Sequence, residues 1–219
     1  MAARLIWWVM VGGLLGVCPI RVFAGDDWQL WLEQKWRLKL RQQVSLFGGI
    51  ELRFRNDMSD FFKHTDTVGL SIKPLSWLKI EPAYRYEWTE QATVDDTTIE
   101  NRLYVNVTPM GSWGPFSVED RHRIEFRHLN GRDDWRYRNK PKLSVGIGNG
   151  WYRFEPYVAD EVFYGARAGA WNRNRVFLGI AKELEAHTEV ELYYMIESNK
   201  QGRDWDEVHV LGIVFAAAF

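Results

Sequence analysis

Apolar and polar residues alternate with a period of two from residue 28 to residue 219, and no segment carries a convincing helical period. Val44, Leu46, Ile50, Leu52 and Phe54 share one face, opposite Ser45, Glu51, Arg53 and Arg55. Leu78, Ile80, Tyr84, Tyr86 and Trp88 oppose Lys79, Glu81, Arg85 and Glu87, and Val190, Leu192, Tyr194 and Ile196 oppose Glu189, Glu191 and Tyr193. Successive side chains of a strand point to opposite faces, so this pattern predicts strands with one apolar face each.

The connections alternate as well. Short ones are expected near residues 41–43, 74–76, 148–150 and 183–187, and longer polar ones near 56–60, 89–97, 129–134, 165–170 and 199–206. Short turns at one end and longer loops at the other are the habit of an outer-membrane barrel. Eleven strands can be read, yet bacterial single-chain barrels usually have an even number. The prediction is therefore an all-β, antiparallel transmembrane barrel of twelve strands, with two elements inside Asp27–Leu40 and ten strands as the alternative. Pro82, Pro141 and Pro156 fall within strand patterns and each removes a ladder donor, so bulges or strand ends are expected there.

Which face is inside is posed most sharply by residues 120–128, DRHRIEFRH. Arg121, Arg123, Glu125 and Arg127 share one face, and Ile124 and Phe126 the other. A soluble sheet would turn the apolar side inward, whereas a membrane barrel turns it to lipid and encloses the charges. Asp120 and His122 share the parity of Ile124, which a membrane barrel tolerates only near its rim, where the cost of a polar group falls away.

The composition favours the inverted arrangement. Twelve Trp, twelve Phe and nine Tyr accompany 26% charged residues. No apolar run of 18 residues follows the N-terminus, which excludes spanning helices. Trp77, Trp88, Trp113, Trp135, Trp151, Trp171 and Trp205 fall near strand ends, where they would form interfacial girdles; an ordinary aromatic core is the competing explanation. The closing HVLGIVFAAAF alternates up to a terminal aromatic. Phe215 and Phe219 are thus the candidate C-terminal insertion signal, addressed to the barrel-assembly machinery.

Arg4, the apolar stretch Leu5–Val17 and the small-residue site Val22-Phe23-Ala24 predict a cleaved signal peptide over residues 1–24, with an uncleaved N-terminal helix as the alternative. Residues 25–219 then form a single barrel domain in the bacterial outer membrane, with outer-membrane lipid as its surroundings. The only cysteine, Cys18, lies in the signal segment, so disulfides, thiol catalysis and thiolate metal sites are unavailable to the mature chain. Without Arg4 and Arg21, 26 basic residues face 29 acidic ones, which gives no reason to propose nucleic acid as a partner.

The segments DRHRIEFR, DDWRYRNKPKL, EPYVADEVFY, NRNRVFLGI and DWDEVHVLGIVF, in that order and spacing, resemble an uncharacterised family of bacterial outer-membrane β-barrels, a domain of unknown function. The likeness runs from about Trp28 to Phe219, and Pro141 departs from it. The resemblance implies a fold and a location; it brings no activity, ligand or catalytic residue.

The inward face supplies a candidate charge network: Glu51, Arg53, Arg55, Arg85, Glu87, Arg102, Arg121, Arg123, Glu125, Arg127, Arg136, Arg138, Lys140, Glu161, Arg173, Arg175, Glu189 and Glu191. Arginine forks suit bidentate carboxylate contacts, so pairing on neighbouring strands is expected. Three functions follow. In the first, the network plugs and stiffens a structural barrel. In the second, Arg136, Arg138, Lys140 and Lys142 form a basic face of a narrow channel that favours small anionic solutes. In the third, the barrel is an enzyme acting on lipid or lipopolysaccharide. For that last reading there is neither an HExxH nor a GxSxG motif. His128 with Ser198 and Asn199 would need to converge in space. No cofactor or metal ligand set is expected, and no catalytic residue is assigned.

Overall fold

In the computed structural model the described residues are 27–91, 97–185, 187–202 and 204–219. The expected signal peptide lies outside them. The chain forms β1 (Trp28–Arg41), β2 (Val44–Arg55), β3 (Asp60–Leu75), β4 (Leu78–Glu90), β5 (Thr97–Trp113), β6 (Phe116–Leu129), β7 (Arg132–Val145), β8 (Glu155–Gly165), β9 (Ala170–Glu185), β10 (Thr188–Gln201) and β11 (Asp204–Ala218). A short 3-10 turn, Gly150–Tyr152, precedes β8. Each strand pairs with the next, and β1 meets β11 to close a barrel.

Eleven strands, rather than twelve or ten, is the first correction. Trp28–Arg41 is one unbroken strand paired with β2 along its length, so no second element hides there. An odd meander sends its first and last strands in the same direction. The barrel therefore closes with a parallel pair, Trp28 beside His209 through Arg37 beside Ala218, and is not antiparallel throughout. Backbone bonds from Phe219 N to Arg37 O and from Lys39 N to Phe219 O (2.8 and 2.7 Å) finish this seam.

The alternation of loop lengths is also weaker than expected, because the strands run farther than the sequence pattern suggested. β6 and β7 are joined by Asn130-Gly131 alone, both with positive φ (45° and 78°). That is the conformation a two-residue hairpin turn demands, and Asn-Gly supplies it. The longest connection, residues 146–154, stands at the end where short turns were expected.

The prolines behave as the missing donor requires. The β7–β8 ladder pairs Asn139 with Val162 and then Lys142 with Ala159, skipping Lys140 and Pro141. The β3–β4 ladder skips between Gly69–Ala83 and Ile72–Ile80, beside Pro82. Pro156 lies at the start of β8, just past the last β7–β8 pair. Neither of the first two gaps shifts the register, so these prolines leave openings in the wall without redirecting the strands.

The two faces of the wall differ sharply. Leu103, Phe126 and Leu178 on the outside are 61%, 62% and 60% exposed, while the inward Glu125 and Glu161 are 0% and 1% exposed. The interior is not charged all round, however. Trp31, Tyr157, Phe177, Met195 and Val210 pack into an apolar cluster along β1 and β8–β11. The enclosed space thus has one greasy wall and one ionic wall, and only the ionic one was read from the sequence.

Candidate functional site

The ionic wall is built by strand parity, which brings every second residue of β2 to β10 into the interior. Glu125 sits at its centre. Arg136 Nε and Arg138 Nη1 donate to its two oxygens at 2.6 and 2.9 Å, and Arg102 and Arg123 approach within 3.6 and 3.5 Å. Arg138 also donates to Glu161 at 2.7 Å, where Arg121 (2.5 Å) and Arg175 (3.5 Å) converge. Arg175 Nε passes on to Glu197 at 2.5 Å. In the other direction Arg102 reaches Glu87, which accepts from Lys63 at 2.8 Å. The result is a chain of alternating sign, Lys63–Glu87–Arg102–Glu125–Arg138–Glu161–Arg175–Glu197, running from β3 to β10.

Side branches complete the set. Arg127 grips Glu100 with two bonds of 2.7 Å, the bidentate geometry that makes such pairs strong. Arg53 bonds Glu51 at 2.7 Å while its guanidinium lies 3.4 Å above the Trp31 ring. Arg55 closes on Asp60 near one mouth (2.9 Å), Arg85 donates to the Thr67 hydroxyl, and Arg173 stands 3.7 Å from Glu197. Lys63 and Glu197 are network members that the sequence pattern missed. A bulge opposite Arg53 and Phe54 breaks the alternation in β3 just before Lys63, which hides its parity. Glu197 continues the Glu189–Glu191 face of β10 and was legible there.

The proposed basic face divides in two. Arg136 and Arg138 are occupied by Glu125 and Glu161. Lys140 and Lys142 instead rest on aromatic rings, 3.5 Å above Phe177 and 3.9 Å above Tyr157. Tyr157 donates to Glu191, and Glu189 and Glu191 line the same space. A cavity of about 650 Å³ runs inside the barrel, bordered by Lys63, Arg127 and Arg173 toward one mouth and by Thr188 and Ala218 toward the other. Its lining holds fifteen Lys and Arg against eight Glu. Arg121 Nε points into buried space without a hydrogen-bond partner.

Histidine chemistry is scattered. His128 bonds Asp133 at the end of β6, while Ser198 and Asn199 lie on β10, four strands away around the wall. The barrel does not bring these together as a catalytic group. Among the described residues no cluster of three or more His, Cys, Asp or Glu is placed to hold a metal ion.

Phe215 and Phe219 are 50% and 65% exposed on the outer face, in the final strand and just beyond it. Asp120 and His122 correct another expectation. They stand midway along β6, with Phe116 and Val118 toward one end and Ile124 and Phe126 toward the other, and not at the rim.

Fold and interior together define a class: a closed eleven-stranded β-barrel with an ion-paired interior and an apolar exterior. Residues 28–208 match the family described as Protein of unknown function (DUF2490), and the chain belongs to that family. No curated protein matches it.

Proposed function

We propose that this protein is a bacterial outer-membrane barrel with a mainly structural role, its interior cross-braced by the arginine–glutamate network. The observation that carries this reading is the inverted wall. More than thirty large apolar side chains are exposed on the described surface, while eleven ionisable ones are buried. In water such an exterior exceeds the few hundred Å² of contiguous apolar patch that monomers carry. In a bilayer it is the expected surface, and closure leaves no lipid-exposed sheet edge. Outer-membrane lipid is then the solvent of the outer face. The barrel-assembly machinery is the partner that would read the Phe215–Phe219 end during insertion.

The test is fractionation of a Gram-negative host expressing the full chain. Recovery in the outer membrane, with a folded band that shifts on boiling, supports the proposal. A freely water-soluble product without that shift overturns it.

A second reading is favoured by one observation, the excess of cations around the 650 Å³ cavity. Eight-stranded barrels are filled and sixteen-stranded ones open, so eleven strands allow a narrow path. In this reading the barrel admits small anionic solutes. Planar-bilayer recording separates the two: the structural barrel gives no steady current, the channel gives small anion-favouring steps. Large cation-selective currents contradict both.

A further inference from the structure

The outer face of β6–β9 carries a polar patch in the middle of the apolar wall. His122 Nε2 lies 3.1 Å from Asp120 Oδ2, and its Nδ1 lies 2.7 Å from the Tyr137 hydroxyl. Asn139 Nδ2 donates to Asp120 at 2.5 Å, and on the next two strands Asn174 Nδ2 donates to Asp160 at 2.6 Å. Asp160 is exposed and lies midway along β8. The break in the β7–β8 ladder at Lys140–Pro141 falls beneath this patch. Side-chain and backbone polarity therefore coincide at one place on the outer wall.

Two carboxylates and interrupted backbone pairing are poorly suited to hydrocarbon, where polar groups need partners within protein. The patch is also self-complementary. Asn139, Asn174 and Tyr137 bring donors and Asp120 and Asp160 bring acceptors. A carboxylate offers about four acceptor sites, and among the described contacts Asp160 fills one of them with Asn174. A two-fold interface sets a patch against its own copy, which lets the carboxylates of one chain accept from the carboxamides of the other. The outward residues beside Asp160, Pro141, Val158 and Val162, are small, which allows close approach at the patch itself, while the larger Ile124, Phe126 and Leu178 on β6 and β9 surround it with apolar surface.

We propose that β6–β9 form the contact face of a homodimer within the membrane, the polar patch at its centre. This rests on the outer-membrane reading above.

The test uses full-length protein with Cys18→Ser, extracted in mild detergent and reconstituted in lipid nanodiscs. Val158→Cys, at the patch, is expected to give a covalent dimer with a short bis-maleimide reagent, whereas Ile50→Cys on β2 is not. Mass measurement in detergent should find a dimer for the parent. Asp160→Leu, and Asp120→Leu with His122→Leu, should reduce the dimer fraction at least ten-fold while the folded band still shifts on boiling. Asp160→Asn keeps the shape should the leucine variants not fold, and it should also weaken the dimer. A parent that inserts as a monomer at all concentrations, equal cross-linking at residues 50 and 158, or variants that dimerise like the parent would each overturn the interface. Those results leave the membrane reading standing, since boiling-dependent mobility reports insertion separately.

Discussion

Glu125 has no exposed surface and four guanidinium groups around it, so its carboxylate holds the local charge balance. Removing one member of a buried ionic set leaves the others uncompensated and costs about 3–5 kcal/mol. Glu125→Ala is therefore expected to lower unfolding stability in detergent by about that amount, measured by denaturant titration of the folded band. Asp133→Ala, whose carboxylate is 90% exposed beside His128, should change it by less than about 0.5 kcal/mol. On the outer face, Ile124→Arg distinguishes solvents. Facing the middle of a bilayer, the substitution costs about 2–4 kcal/mol; facing water it would cost almost nothing. Equal stability of Ile124→Arg and parent in lipid would count against the membrane reading. Gly212 adds a steric case: a Cβ there would run into the Tyr193 ring. Gly212→Val forces that ring off its seat and is expected to cost about 1–3 kcal/mol in the same titration.

At the scale of strands, alternation revealed the faces of β2, β4, β5, β6 and β7, because charge and grease fall mostly on opposite parities there, with Asp120 and His122 on β6 and Asp133 on β7 as exceptions. β11 was harder to read. His209, Leu211, Ile213 and Phe215 face outward, but Val208, Val210, Gly212 and Val214 face inward, Val208 and Val210 against the Trp31–Met195 cluster. A run apolar on both parities signals burial on both faces, and the continuous string HVLGIVF contained that signal. The network on β6 and β7 was legible from parity alone. Its extension to Lys63 was not, since a bulge displaces the register of β3. The strand count failed for a different reason: a parity rule drawn from other barrels outweighed the eleven segments visible in this chain. The closing strand also has a test. Deleting Ala217–Phe219 removes the terminal backbone bonds to β1. The fraction of chain recovered as a band that shifts on boiling should then fall severely, and an unchanged fraction would show that closure does not depend on these residues.

Across the whole molecule, the ionic and apolar interior walls meet over Lys140 and Lys142, whose ammonium groups rest on rings. Among the described contacts these two lysines, unlike Arg136 and Arg138, are not bonded to a carboxylate, and Lys140 lines the cavity, so its charge faces a solute there. If the barrel conducts, Lys140→Glu with Lys142→Glu should reduce or invert anion preference, read as a shift in reversal potential under a salt gradient. An unchanged reversal potential would place the selective region elsewhere.

The parallel seam between β1 and β11 has a topographic consequence. Trp28 and Phe219 occupy opposite mouths, so if the barrel spans the outer membrane, an epitope fused just before the one and another just after the other are labelled from different compartments. A membrane-impermeant probe applied to intact cells should reach one fusion and spare its counterpart until the envelope is breached.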